Sequence, residues 1–240
     1  MTFAQGWHPV ALSTSVEPGS SAGTHIDGKE LVVWRDNSGV AHVWEDRCPH
    51  RGMKLSFGFV RGDHIACLYH GWQYDTGGRC RYIPAHPDLE VPATITVPVF
   101  TTVEALGMIW TSAEPGASRS PPPAEAAETL PVRSLYVDRD AAALFQALSA
   151  NLPSPFTGVG GASLTPAGDN LCRIAAGDDR LLVGLQQLDA GRAALHVVIE
   201  GPGSIYAGAG QAHFLGWTAG LRYALEHGSI PAQIAKAEAV

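Results

Sequence analysis

The sequence predicts an α+β protein with an all-β first half and a mixed second half. Three observations carry this. Short β-branched and aromatic runs recur between turn clusters up to about residue 112. A stretch rich in Pro, Ala, Glu and Ser covers 113–131, with Pro121, Pro122 and Pro123 at its centre. Beyond it the apolar spacing switches between strand-like and helix-like periods.

In chain order, residues 7–12, 30–34 and 40–44 (WHPVAL, ELVVW, VAHVW) read as strands, and Asp36-Asn-Ser-Gly39 turns between the last two. Residues 57–60, 65–67, 72–74 and 79–83 continue the pattern, punctuated by Arg61-Gly-Asp63 and Asp75-Thr-Gly-Gly78. Residues 97–101 and 106–111 close the sheet system. The stretch 113–131 buries little and reads as an extended linker. Asp140 caps a helix that runs to about Asn151, because residues 141–148 are helix formers and Pro153 stops it. Residues 171–175, 181–188 and 193–200 read as three successive strands. Phe214, Trp217, Leu221 and Leu225 then recur at the spacing of an amphipathic helix of about four turns. The expected division is 1–112, 113–131 and 132–240.

The chain has 240 residues, 45% apolar and 16% charged, which suits a globular protein with a sizeable core. Sixteen basic against 23 acidic residues give −7, which argues against nucleic acid or an anionic membrane as partner. No apolar run approaches a membrane span. Four cysteines are too few for a disulfide scaffold. The opening MTFAQGWH lacks the basic and apolar regions of a signal peptide, so the expectation is a cytoplasmic protein with reduced thiols.

Cys48-Pro-His50-Arg-Gly52 and Cys67-Leu-Tyr-His70-Gly-Trp72 each pair one thiol with one imidazole. Two thiolates and two imidazoles suit a tetrahedral zinc or a [2Fe–2S] cluster in which Cys holds one iron and His the other. The tight Cys pair and His pair usual in structural zinc sites are absent. Each loop offers one residue of each kind, as the mixed cluster requires.

With these residues, the flanking Arg51-Gly52 and Gly71-Trp72, and the turn at 75–78, the chain resembles Rieske proteins. The likeness runs from Trp7 to about Trp110 and is to the first domain of Rieske non-haem iron oxygenases. Neither loop carries the extra cysteine of respiratory Rieske proteins. The resemblance implies that Cys48 and Cys67 bind the inner iron, and His50 and His70 the outer, more exposed one. Because glycine allows close approach, amides around Arg51-Gly52 and Gly71-Trp72 are expected to donate to the sulfurs.

In the oxygenases a second, helix-grip domain holds a mononuclear iron with two His and a carboxylate. The matching stretch here, 144–152, contains no His. After His70 only His86, His196, His213 and His227 remain, and no two are four or five apart. The second half therefore reads as a shortened helix-grip domain without a recognisable iron site, and a mononuclear iron is not expected. The resemblance then implies an electron-transfer component or oxygenase-related subunit. It would take electrons from a reductase or ferredoxin and pass them to a separate iron-bearing oxygenase subunit, in a trimeric or mixed oligomer. A complete but divergent oxygenase of the mono-oxygenase or demethylase type is the alternative; a redox sensor or scaffold is a third. His8, His25, His42 and His64 read as isolated, Cys80 and Cys172 as inert buried thiols, Trp34, Trp44 and Trp110 as core, Trp72 as packing beside a cluster loop, and residues 158–161 as a loop.

Overall fold

The computed structural model describes residues 6–115 and 128–227. The centre of the Pro-rich stretch, 116–127, lies outside them. The fold is α+β: an all-β first half followed by a small helix-grip-like half.

The first half holds two antiparallel sheets. Six strands, β1 (Trp7–Leu12), β2 (Ser20–Ile26), β3 (Lys29–Arg35), β4 (Ala41–Glu45), β9 (Val99–Ala105) and β10 (Met108–Pro115), run in the order β1-β10-β9-β4-β3-β2. Four short strands, β5 (Phe59–Arg61), β6 (His64–Ala66), β7 (Gln73–Asp75) and β8 (Cys80–Tyr82), pair in sequence order as a meander. The run Leu31-Val-Val-Trp34 in β3 is continuous rather than alternating because both faces are covered. Leu31 and Val33 join one core with Val10, Val43, Phe100 and Ile109. Val32 and Trp34 point the other way, into a core shared with Trp44, Cys48, Cys67 and Tyr74. The two candidate cysteines thus grow out of a packed interior.

The second half is a five-stranded antiparallel sheet, ordered β11-β15-β14-β13-β12. Its strands are β11 (Thr129–Val137), β12 (Ala162–Gly168), β13 (Leu171–Ala176), β14 (Asp179–Asp189) and β15 (Arg192–Glu200). Helices α1 (Ala141–Ala150), α2 (Gly203–Tyr206) and α3 (Ala209–His227) complete it. Asp140 caps α1 as expected, its side chain accepting from the Ala143 amide. Phe214, Trp217 and Leu221 of α3 bury against Leu135, Leu181, Val183, Leu185 and Leu195. Leu182 and Val198 face the opposite way, toward Trp7, Leu12, Met108 and Trp110 of the first half. Gly184 permits that approach: a Cβ there would stand 2.8 Å from Met108 Sδ and 2.9 Å from Pro9 Cγ.

Three strands escape the sequence pattern: β2, β11 and β12. All lie at sheet edges, half-exposed and without clean alternation. The last two carry Pro131 and Pro166 at register shifts, where an edge tolerates a missing amide. Strands β10 and β11 also enter the stretch read as a linker, reaching Pro115 and starting at Thr129.

A buried polar chain crosses between the halves. Gln186 Nε2 donates to Thr24 Oγ1 (2.9 Å) and the His25 carbonyl (2.8 Å). Its Oε1 accepts from His196 Nε2 (2.9 Å), and His196 Nδ1 then accepts from the Ser134 hydroxyl (2.8 Å). Burial lowers the His196 pKa to about 4, so the ring is neutral, which fixes that donor order. In the unfolded chain the same ring titrates near its ordinary 6.5, so the unfolded state binds the extra proton first as pH falls. Stability should therefore fall between pH 6.5 and 4, by about 3 kcal/mol in all. Asp36 acts in a separate window. Burial raises its pKa, but hydrogen bonds from Ser38, His42 and the Val40 amide outweigh that and bring it to about 2. Urea unfolding at pH 7, 5.5 and 4.5 should show a shallower pH slope for His196→Gln than for the unsubstituted protein; equal slopes would remove His196 as the cause.

Candidate metal centre

Two loops are built on one template, the first running from β4 toward β5 and the second joining β6 to β7. In the first, the Cys48 amide donates to the Met53 carbonyl (2.8 Å) and the Gly52 amide to the Cys48 carbonyl (2.8 Å). In the second, the Cys67 amide donates to the Trp72 carbonyl (2.9 Å) and the Gly71 amide to the Cys67 carbonyl (2.9 Å). Each loop closes on a glycine in the left-handed region, Gly52 at φ 74° and Gly71 at φ 70°, where a side chain would be strained. Of the amides expected at the sulfurs, around Arg51-Gly52 and Gly71-Trp72, that of Arg51 serves Cys48 together with His50. The glycine amides instead satisfy the cysteine carbonyls, and the amides of Tyr69 and His70 serve Cys67.

The four candidate side chains divide by depth. Cys48 and Cys67 are buried, and the Cys67 thiol hydrogen-bonds Cys48. His50 is half-buried and His70 exposed, with ring centroids 4.6 Å apart. Among the described residues no three His, Cys, Asp or Glu side chains gather as one metal-holding group. Two sulfurs on one side and two imidazoles on the other fit a group that spans two metal ions. They do not fit one tetrahedral zinc.

Neighbouring rings fix the imidazoles. Trp72 stacks on His50 at 4.3 Å and 5°. Tyr69 lies 4.0 Å from His70. Beneath them, fully buried Tyr74 places its phenol oxygen 3.0 Å from Cys48 Sγ. Donation from Cys67 is the largest influence lowering the Cys48 pKa; with Tyr74 and the loop amides it outweighs burial and brings the thiol to about 5. Cys67 moves up in turn, chiefly because it is the donor to Cys48. Burial first, and the bond to Cys48 second, push the Tyr74 phenol up, so its O–H is the donor.

The remaining sequence candidates lie elsewhere. His42 pairs with Asp36 (3.1 Å) and stacks on Trp34, while His64 meets Arg81 (2.6 Å). His8 and His196 are fully buried and His86 is exposed on a loop. His213 Nε2 meets the Ser154 carbonyl and His227 Nδ1 the Tyr223 carbonyl, so the two do not converge. Cys80 and Cys172 are buried, and Trp34, Trp44 and Trp110 are core. The sequence reading missed Tyr74 and the ring of Tyr69. Tyr74 looks like any apolar strand residue until the meander brings it under the first loop.

Two buried sulfurs beside two surface imidazoles form a donor set that fits an iron–sulfur group. Residues 6–100 match the Rieske [2Fe-2S] domain family. It is 39% identical over 107 residues to the oxidoreductase NdmD of Pseudomonas putida, covering 44% of this chain and 18% of that protein. The methylxanthine N1-demethylase NdmA of the same organism is 40% identical over 109 residues, 43% of this chain and 31% of that protein. The chain thus spans roughly a fifth to a third of the length of these curated relatives. In fold the likeness is wider. A dicamba monooxygenase bound to dicamba superposes with TM-score 0.71 at 20% identity, covering all of this chain and 87% of that one. NdmA of P. putida CBB5 with caffeine gives 0.67 at 20%, covering 93% and 80%.

In the iron–sulfur-loaded protein, Tyr74→Phe removes a donor to a sulfur whose charge grows on reduction. The potential should fall by about 20–60 mV, equivalent to ~0.5–1.5 kcal/mol for one electron. Spectroelectrochemical titration checks this; an unchanged potential would mean that the phenol does not reach the ligand.

Proposed function

We propose that Cys48 and Cys67 hold one iron of a Rieske [2Fe–2S] cluster, that His50 and His70 hold the other, and that the chain relays single electrons. The donor would be a reductase or ferredoxin, and the acceptor the mononuclear iron of a separate oxygenase subunit. A [2Fe–2S] group held there supplies one-electron transfer at a potential raised by the neutral imidazoles. The chain's own residues do the rest. Loop amides and Tyr74 offset the thiolate charge, Trp72 and Tyr69 orient the imidazoles, and only the imidazole side reaches the surface.

The single observation carrying the reading is the two-and-two division of donors between a buried and a surface pair. The relay role, as opposed to a complete oxygenase, is supported by helix α1. It occupies the place where the resemblance puts a His pair, yet it reads AAALFQALSA, without imidazole or carboxylate. On this reading residues 1–112 are the electron-carrying domain, 113–131 the linker, and 132–240 a domain for assembly in a trimeric or mixed oligomer. All four cysteines are free, in keeping with a cytoplasmic setting. Among the described residues no helix is long and apolar enough to cross a membrane.

Iron and acid-labile sulfide on anaerobically purified protein test the assignment. About two of each per chain are expected. About three irons to two sulfides would overturn the relay reading in favour of a complete oxygenase. His50→Cys and His70→Cys should each lower the potential or abolish the cluster, and an unaltered spectrum in either would sink the ligand assignment.

A further inference from the structure

We propose that the cavity between the C-terminal turns of α3 and the adjoining ends of β11, β14 and β15 binds a small zwitterion with an apolar body, its carboxylate on Arg222 and its ammonium on Asp138. This site lies wholly in the second half and is independent of the relay reading.

The cavity measures about 430 Å³, within the range that takes a small organic molecule. Tyr136, Val137 and Leu188 supply its apolar wall, and Tyr136 is 48% exposed. Asp138 and Arg192 line it from the sheet end, Arg222 and Glu226 from the helix. Their charges are unevenly answered. Arg192 is held by Asp189 through Nε (2.7 Å) and Nη2 (2.6 Å), and Asp138 adds a second negative charge beside the same guanidinium. That corner therefore carries one carboxylate more than it has cations. At the helix, Arg222 Nη2 donates to the Tyr136 carbonyl (2.7 Å), which fixes the guanidinium against β11. Arg222 Nε is buried with no acceptor among the described residues, and Glu226 Oε1, at 3.8 Å, is too far to accept. Glu226 is itself 56% exposed, so water screens its charge. The Arg222 side chain is 40% exposed, which leaves Nη1 for a ligand carboxylate.

The cavity is thus polarised, negative at the sheet end and positive at the helix. A simple anion would meet Asp138, and a simple cation would meet Arg222. A molecule that carries both charges satisfies both ends, while its apolar body covers Tyr136 and Leu188. An aromatic amino acid is the simplest such molecule. Bound there, it ties the last turns of α3 to the start of β15 and stabilises the second half by mass action.

The probe is L-phenylalanine, set against hydrocinnamate, which lacks the ammonium, and phenethylamine, which lacks the carboxylate. Binding to the full chain is followed by isothermal titration calorimetry and checked by saturation-transfer NMR. L-Phenylalanine should saturate with a dissociation constant of about 1 mM or below, and each analogue should bind about threefold or more weakly. Arg222→Gln should weaken L-phenylalanine and hydrocinnamate about threefold or more and leave phenethylamine within about twofold. Asp138→Asn should weaken L-phenylalanine and phenethylamine by a similar factor and spare hydrocinnamate. Arg133→Gln, elsewhere on β11, should leave all three within about twofold. The analogue series in the unsubstituted protein decides the matter alone should Arg222→Gln fail to fold. Equal affinity for the three probes would overturn the proposal, because the apolar wall would then account for binding. So would the lack of any saturable L-phenylalanine binding, or losses in the two variants that do not follow the missing charge.

Discussion

Two thiols that must meet inside the protein, from loops that enter and leave the β5–β6 hairpin at the same end, impose the design of the first half. Cys48 and Cys67 sit within hydrogen-bonding reach, buried in the same core as Trp34, Trp44 and Tyr74. A thiolate is expensive to bury unless donors surround it. The loops answer this by turning two successive amides onto each sulfur, and Tyr74 adds a phenol from below. The four strands of the meander, each only three residues long, carry the second loop between β6 and β7.

The same constraint separates depth from access. His50 occupies the third position of its loop and His70 the fourth, yet both rings emerge on one side, 4.6 Å apart. Stacking by Trp72 and the tilted contact of Tyr69 cost little entropy, because an aromatic ring has few rotors to freeze. It leaves the imidazole edges as the exposed part of the site. A redox group enclosed on all sides would be stable and unreachable. Here the low-dielectric side is given to sulfur and the wet side to nitrogen.

Legibility in the sequence follows burial. Central strands such as β3, β14 and β15 announce themselves because both of their faces are covered, which produces uninterrupted apolar runs. Edge strands β2, β11 and β12 do not, because half of each meets water and two contain proline. The four candidate residues stand out in the sequence because each of two short segments pairs one thiol with one imidazole. Tyr74 and the chain from Ser134 through His196 and Gln186 to Thr24 are not legible. Their meaning lies in contacts between residues far apart in sequence, Gln186 and Thr24 above all. The interchange of glycine and neighbouring amides in the loops was equally hidden, since spacing alone does not say which N–H turns inward.

The buried polar chain bears on what the second half does for the first. Apolar contact between the two sheets, through Trp7, Met108, Leu182 and Val198, is non-directional and would tolerate sliding. The bonds from Gln186 to Thr24 and to the His25 carbonyl are directional, and slippage by one residue would strand a buried amide at a cost of about 1–3 kcal/mol. Neutral His196 completes the pattern without importing a charge. The interface is thus fixed in register as well as held together. The first half, with its two candidate loops, is thereby held in one orientation on the second, by directional bonds that apolar packing alone does not supply.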